Sequence, residues 1–132
     1  MSDRIAAVFD ASALTAYIEG NISVGELMLE VADEGQQVAV PAACLAAAIA
    51  GAGDEVGAAL LALMVSAPVI RVLPLDADGV HDTGTLARRV NDDISLGHAA
   101  QAALTHEAHY ATTQPRMAAK VLPTNWSVLD LT

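Results

Sequence analysis

Aromatic residues are almost missing from this sequence: one Phe, one Trp and two Tyr make up 3% of 132 residues. Its core must therefore be aliphatic, built from Ala, Val, Leu and Ile, and small side chains of that kind suit closely packed helices. Cysteine occurs once, as Cys44, which excludes an internal disulfide and fits a reducing compartment. The expected role of Cys44 is that of a small buried hydrophobe. Positive charge is scarce too: 6 Lys and Arg stand against 16 Asp and Glu, a formal net charge of −10. Such a field repels polyanions and disfavours tight non-specific nucleic-acid binding, unless a local basic patch or bound cations reverse its sign. Long apolar runs are also lacking. The stretches Val38 to Ala50 and Ala58 to Val65 fall short of the roughly 20 residues that cross a bilayer. The first apolar run is too short for a secretory signal, so the expectation is a cytoplasmic protein with no membrane association. No Gly-rich phosphate loop follows any expected strand. Gly51-Ala52-Gly53 follows a helix, which argues against an α/β sensor or nucleotide binder.

What is present is a chain 54% hydrophobic, enough for one real core, read as a single domain over residues 1–132. Short apolar runs alternate with helical stretches. Arg4 to Phe9 reads as a buried strand ending at Asp10, and Ala13 to Glu19 as a helix stopped by Gly20 and Asn21. Ser23 with Glu26 suggests a capping box for the next helix, whose Leu27, Met28 and Val31 face inward until it ends at Gly35. Gln37 to Val40 is a second strand, cut off by Pro41, and a buried Ala-rich helix follows up to the break at Gly51 to Asp54. Asp54 caps the helix through Met64, and Val69 to Leu73 forms a third strand. Asp76 or Asp78 opens a helix to about Val90, Ser95 to Glu107 is another, and His109 to Thr113 is a fourth strand closed by Gln114-Pro115. Trp126 to Leu131 is a final edge strand. Strands alternating with helices in this way predict an α/β fold, a mainly parallel sheet of four or five strands with helices on both faces.

Sites in such sheets form where strands end at their carboxyl edge. Asp10 ends the first strand, Thr112 and Thr113 end the fourth, and Asp92 and Asp93 precede the helix leading into it. Carboxylates gathered there need a neutralising cation, and hard oxygen ligands favour Mg²⁺ or Mn²⁺, which can activate water against a phosphoryl group. Each residue also has a plainer reading. Asp10 and Asp93 are natural N-caps, Thr112 and Thr113 natural strand residues, and His98 a satisfied, partly buried histidine as readily as an acid/base group. His106 and His109 show no ligand spacing with His98 and read as surface residues. Arg88-Arg89, Arg116 and Lys120 hold most of the positive charge and need no explanation as solvated side chains. Arg116 and Lys120, if they flank the end of the fourth strand, could grip a nucleic-acid backbone.

The segments AAVFDASALTAYIEG, VAVPAACLAAAIA and SLGHAAQAALTHEAHYATTQP, in this order and spacing, resemble a PIN domain, most of all its toxin-type, VapC-like branch. The resemblance spans nearly the whole chain. It implies a three-layer α/β/α sandwich and Mg²⁺- or Mn²⁺-dependent endoribonucleolysis by a small cluster of acids. It further implies RNA as substrate, an antitoxin protein as partner, and pairing into a homodimer. The first acid of the pattern matches Asp10. The second, a Glu in the helix after the VAVP segment, falls on Ala47, and that helix carries no acid. The third falls on His98, with Asp93 about a turn earlier as a stand-in, and the fourth on Gln114. Two functions follow. One is a nuclease with Asp10 and Asp93 on the metal and Thr112 or Thr113 orienting the phosphate. The other is an inactive module of the same fold that acts through a protein partner.

Overall fold

A computed structural model describes residues 4–132. Five strands, β1 (Ile5–Phe9), β2 (Gln37–Pro41), β3 (Ile70–Leu73), β4 (His109–Thr112) and β5 (Val128–Asp130), form one sheet in the order β3-β2-β1-β4-β5. Every neighbouring pair is parallel. The helices are α1 (Ala11–Ile18), α2 (Ile22–Asp33), α3 (Ala42–Ala52), α4 (Glu55–Val65), α5 (Val80–Ala87), α6 (Ile94–His106) and α7 (Pro115–Ala119). This is the expected α/β/α sandwich, with the larger of the two strand numbers foreseen and no antiparallel member.

The strand order places the site. From β1 the chain builds outward through β2 and β3, then returns to add β4 and β5 on the other side. Connections thus part company at β1 and β4, and the crevice outside their carboxyl ends is where open parallel sheets collect ligands. Both strands are nearly dry: Val8, Phe9, Tyr110 and Ala111 have no exposed surface. Strands buried on both faces read as continuous apolar runs, which makes them recognisable from sequence.

Helix starts follow short polar side chains. Asp10, Asn21, Asp54 and Asp93 each accept a backbone N–H of the first turn of α1, α2, α4 and α6. At α2 the cap is Asn21, which takes the N–H groups of Ser23 and Val24, so the expected Ser23–Glu26 box does not form. The helix expected from Asp76 or Asp78 begins later. Asp76 instead closes a turn, its side chain and carbonyl both accepting from Gly79, and α5 runs only to Ala87 before a 3-10 turn at Arg88–Val90. Asn91 and Asp92 then adopt left-handed backbone (φ 57° and 61°), which stops the helix and lets Asp93 start α6. The break expected over Gly51 to Asp54 falls at the left-handed Gly53. Beyond Gln114 the chain makes the short helix α7, which the pattern of residues did not announce. No helix among the described residues is long and apolar enough to cross a membrane.

Candidate functional site

β1 delivers Asp10 into the crevice with 3% of its surface exposed. The register pairs Val8 with Tyr110 and Phe9 with Ala111, so Asp10 lies level with Thr112. Side chains alternate along a strand, so Tyr110 and Thr112 reach the same face and converge on one carboxylate. Oδ2 of Asp10 accepts the Thr112 hydroxyl at 2.6 Å and the Tyr110 hydroxyl at 3.0 Å. Oδ1 accepts the Ser12 hydroxyl at 2.6 Å and the Ala13 N–H at 3.0 Å. The two flanking hydroxyls then bind the chain beyond β4, Ser12 Oγ accepting the Thr113 N–H and Thr112 Oγ1 accepting the Gln114 N–H. Asp10 caps α1, as its plainer reading has it, while Ser12 joins the helix to β4.

Asp93, exposed at the start of α6, makes its own capping arrangement. Its Oδ1 accepts the Ser95 hydroxyl at 2.7 Å and the Leu96 N–H at 3.1 Å. Between the two acids lies Cys44, fully buried, its thiol donating to the Ser95 carbonyl. Burial pushes the thiol well above its usual range, and the Asp10 carboxylate pushes it further, with a smaller contribution from Asp93. Burial likewise raises the Tyr110 phenol, followed by the charge of Asp10, so it remains a hydrogen-bond donor at any physiological pH. Both acids are thus within electrostatic reach of the same two groups, though no direct contact joins them.

The other candidates lie apart. His98 is 1% exposed and its Nδ1 accepts the Ala43 N–H, at the start of α3, at 3.3 Å. Burial lowers its basicity more than the Pro74 hydrogen bond and Asp76 raise it. Thr113 is half-buried and lines a cleft of about 490 Å³ with Ser12, Thr15, Glu19, Asn21 and Gln114. Asp92, Arg88, Arg89, Arg116 and Lys120 are exposed, as is His109, while His106 is half-buried. Sequence reasoning passed over Tyr110 and read Cys44 as a small buried hydrophobe, and buried it is. The available signal for Tyr110 was its place two residues before Thr112, on the same strand face.

A hard divalent cation needs oxygens with lone pairs to spare. A carboxylate offers about four hydrogen-bonding positions, and Asp10 has four donors on it. Ala47 is exposed on α3 and offers no oxygen. Among the described residues, no three His, Cys, Asp or Glu side chains are grouped to hold a metal ion. With these partners in place, the donor set does not fit Mg²⁺ or Mn²⁺.

The chain is similar in structure to a chain of VapBC2 from Rickettsia felis, in a crystal structure bound to a DNA fragment from their promoter. The TM-score is 0.64 at 15% identity, over 92% of this chain and 99% of that one. The fold is PIN-like. At that identity the likeness is one of fold alone. No family model matches the sequence, and no curated protein matches it. Within the PIN-like fold, Asp10 occupies the end of the central strand, and the crevice between β1 and β4 is the candidate site.

Proposed function

We propose that this PIN-like chain is a toxin-type domain by descent that has given up metal-dependent RNA cleavage and acts as a binding module through protein partners. The observation that carries this reading is the closed shell of four donors around Asp10. The group that would hold a cation instead ties β1, α1 and β4 together. The alanine at position 47, where the resemblance expects a glutamate, supports it.

The partners in this reading are of two kinds. One is an antitoxin-type protein, basic enough to suit a net charge of −10. The other is a second copy, seated on α3 and α4, whose only charged side chain is Glu55. On α4 the spacing of Val56, Ala59, Leu60 and Leu63 makes one apolar stripe, with Val56 68% and Leu63 64% exposed. A helix apolar on all sides is ordinarily covered on all sides.

A second reading is the Mg²⁺- or Mn²⁺-dependent endoribonuclease. Asp10 and Asp93 would hold the metal, Thr112 and Thr113 would orient the phosphate, and His98 would serve as acid or base. The shared reach of the two acids onto Cys44 and Tyr110 favours it. Calorimetric titration of Mn²⁺ and Mg²⁺ into the wild type and Asp10→Asn, with an RNA-cleavage assay alongside, separates the two. The module reading expects no binding tighter than about 1 mM and no metal-dependent cleavage. Binding and cleavage that both vanish in Asp10→Asn would establish the nuclease instead.

A further inference from the structure

Four helices of this fold carry a side-chain cap on their first turn, from Asp10, Asn21, Asp54 and Asp93. α3 does not. Its N-cap is Pro41, which offers no side-chain hydrogen bond, so its first-turn N–H groups must find acceptors elsewhere. One acceptor comes from across the fold: Nδ1 of His98, on α6, takes the N–H of Ala43. Pro74, just past β3, lines the same cavity as the ring. A ring that accepts at Nδ1 is a neutral imidazole protonated on Nε2.

We propose that His98 is a pH-sensitive fastener of α3, holding the helix's first turn while its imidazole is neutral and releasing it on acidification. A proton on Nδ1 would set an N–H against the Ala43 N–H and place a positive charge at the positive end of the helix dipole. No side chain of α3 offsets that charge, since α3 is wholly uncharged. Asp76, after β3, is the carboxylate whose field favours the imidazolium. Arg71 on β3, Asp78, Asp82 on α5 and His106 on α6 line the cavity beside the ring. Burial outweighs Asp76, so the folded ring protonates below the ordinary imidazole range. The fastening is therefore complete above about pH 6.5 and is lost as pH falls through the lower folded value. What it releases matters to the site. Cys44 follows Ala43, bonds the Ser95 carbonyl and lies within reach of Asp10, so loosening this turn unseats one wall of the crevice.

Amide hydrogen exchange, corrected for the intrinsic effect of pH, tests the proposal on the full chain. Between about pH 7.5 and about pH 5, protection at Ala43 and Cys44 should fall at least tenfold relative to Leu61 on α4. In His98→Asn, whose amide oxygen can accept in place of Nδ1 without titrating, that relative fall should disappear. An equal fall in His98→Asn would overturn the proposal. Should that variant not fold, ¹⁵N NMR of the wild-type ring decides alone. Nδ1 must be unprotonated at neutral pH and gain its proton as the Ala43 amide loses protection. A ring protonated on Nδ1 at neutral pH, or one that titrates while Ala43 stays protected, would equally defeat it.

Discussion

Four donors meet at Asp10, so removing its carboxylate should cost more than one interaction's worth. In Asp10→Ala the hydroxyls of Tyr110 and Thr112, both fully buried, lose their acceptor, and α1 loses its cap. At roughly 1–3 kcal/mol for each orphaned group and about 1 kcal/mol for the cap, the loss comes to about 3–7 kcal/mol. That is comparable with the whole stability of many domains. Asp10→Asn should cost far less, about 1–2 kcal/mol. Its amide oxygen still caps Ala13, and the Tyr110 and Thr112 hydroxyls can turn to accept from its NH₂. Tyr110→Phe removes one donor and leaves the carboxylate three, so about 1–2 kcal/mol is expected there as well. Urea unfolding of the three variants gives the ranking, and an Asp10→Ala midpoint no lower than that of Tyr110→Phe would show that the carboxylate is not the hub. Asp10 and Thr112 were legible in the sequence because each follows an apolar run at a strand end. Tyr110 was not, because a tyrosine in a strand looks like core until the register of β1 against β4 is known.

The contact between α5 and α6 is set by one missing methyl group. A Cβ at Gly97 would lie 2.4 Å from the Thr83 carbonyl and 3.0 Å from Ala87, on a packed helix whose backbone cannot swing aside. Alanine gains up to about 1 kcal/mol of helix propensity over glycine, whereas an overpacked contact costs about 1–3 kcal/mol or more. The clash should win, and Gly97→Ala should destabilise the fold by about 1–3 kcal/mol. At Gly84, inside α5, a Cβ would meet nothing within 4 Å. Gly84→Ala should therefore keep the propensity gain and stabilise by about 0.5–1 kcal/mol. Opposite shifts in the two melting temperatures are expected; a gain at both would mean that the helices are free to part. At this scale the sequence was most readable where a short polar residue or a left-handed glycine marks a helix end, as at Asp54 and Asp93. It misled at Ser23, because Asn21 stands two residues earlier and caps equally well. It was silent on α7, which is five residues long and too short to show a period, and it misled at Asp76, where a side chain suited to capping closes a turn before α5 begins.

Charge and apolar surface are distributed unevenly over the molecule, and self-association is where they act together. Two chains of net charge −10 repel at long range, yet α3 and α4 form a region whose charges are confined to Asp54 and Glu55 at the start of α4. Two copies that meet there bring together the least charged part of each surface. An interface of this kind should strengthen as salt rises, since screening removes the repulsion between the bodies and touches no ion pair within the contact. An interface held by charge pairs would weaken instead. Sedimentation equilibrium at about 50 mM and about 500 mM salt should thus show a dimer that tightens with salt. Leu63, 64% exposed on the α4 stripe, is the residue to change. Leu63→Glu should leave the monomer's stability within about 0.5 kcal/mol, as surface substitutions do. In the dimer it would set two new carboxylates in an apolar contact and abolish association. A wild type that stays monomeric at every concentration and salt would sink the second-copy reading and leave the stripe to a different protein. A dimer that survives Leu63→Glu would move the contact to another face.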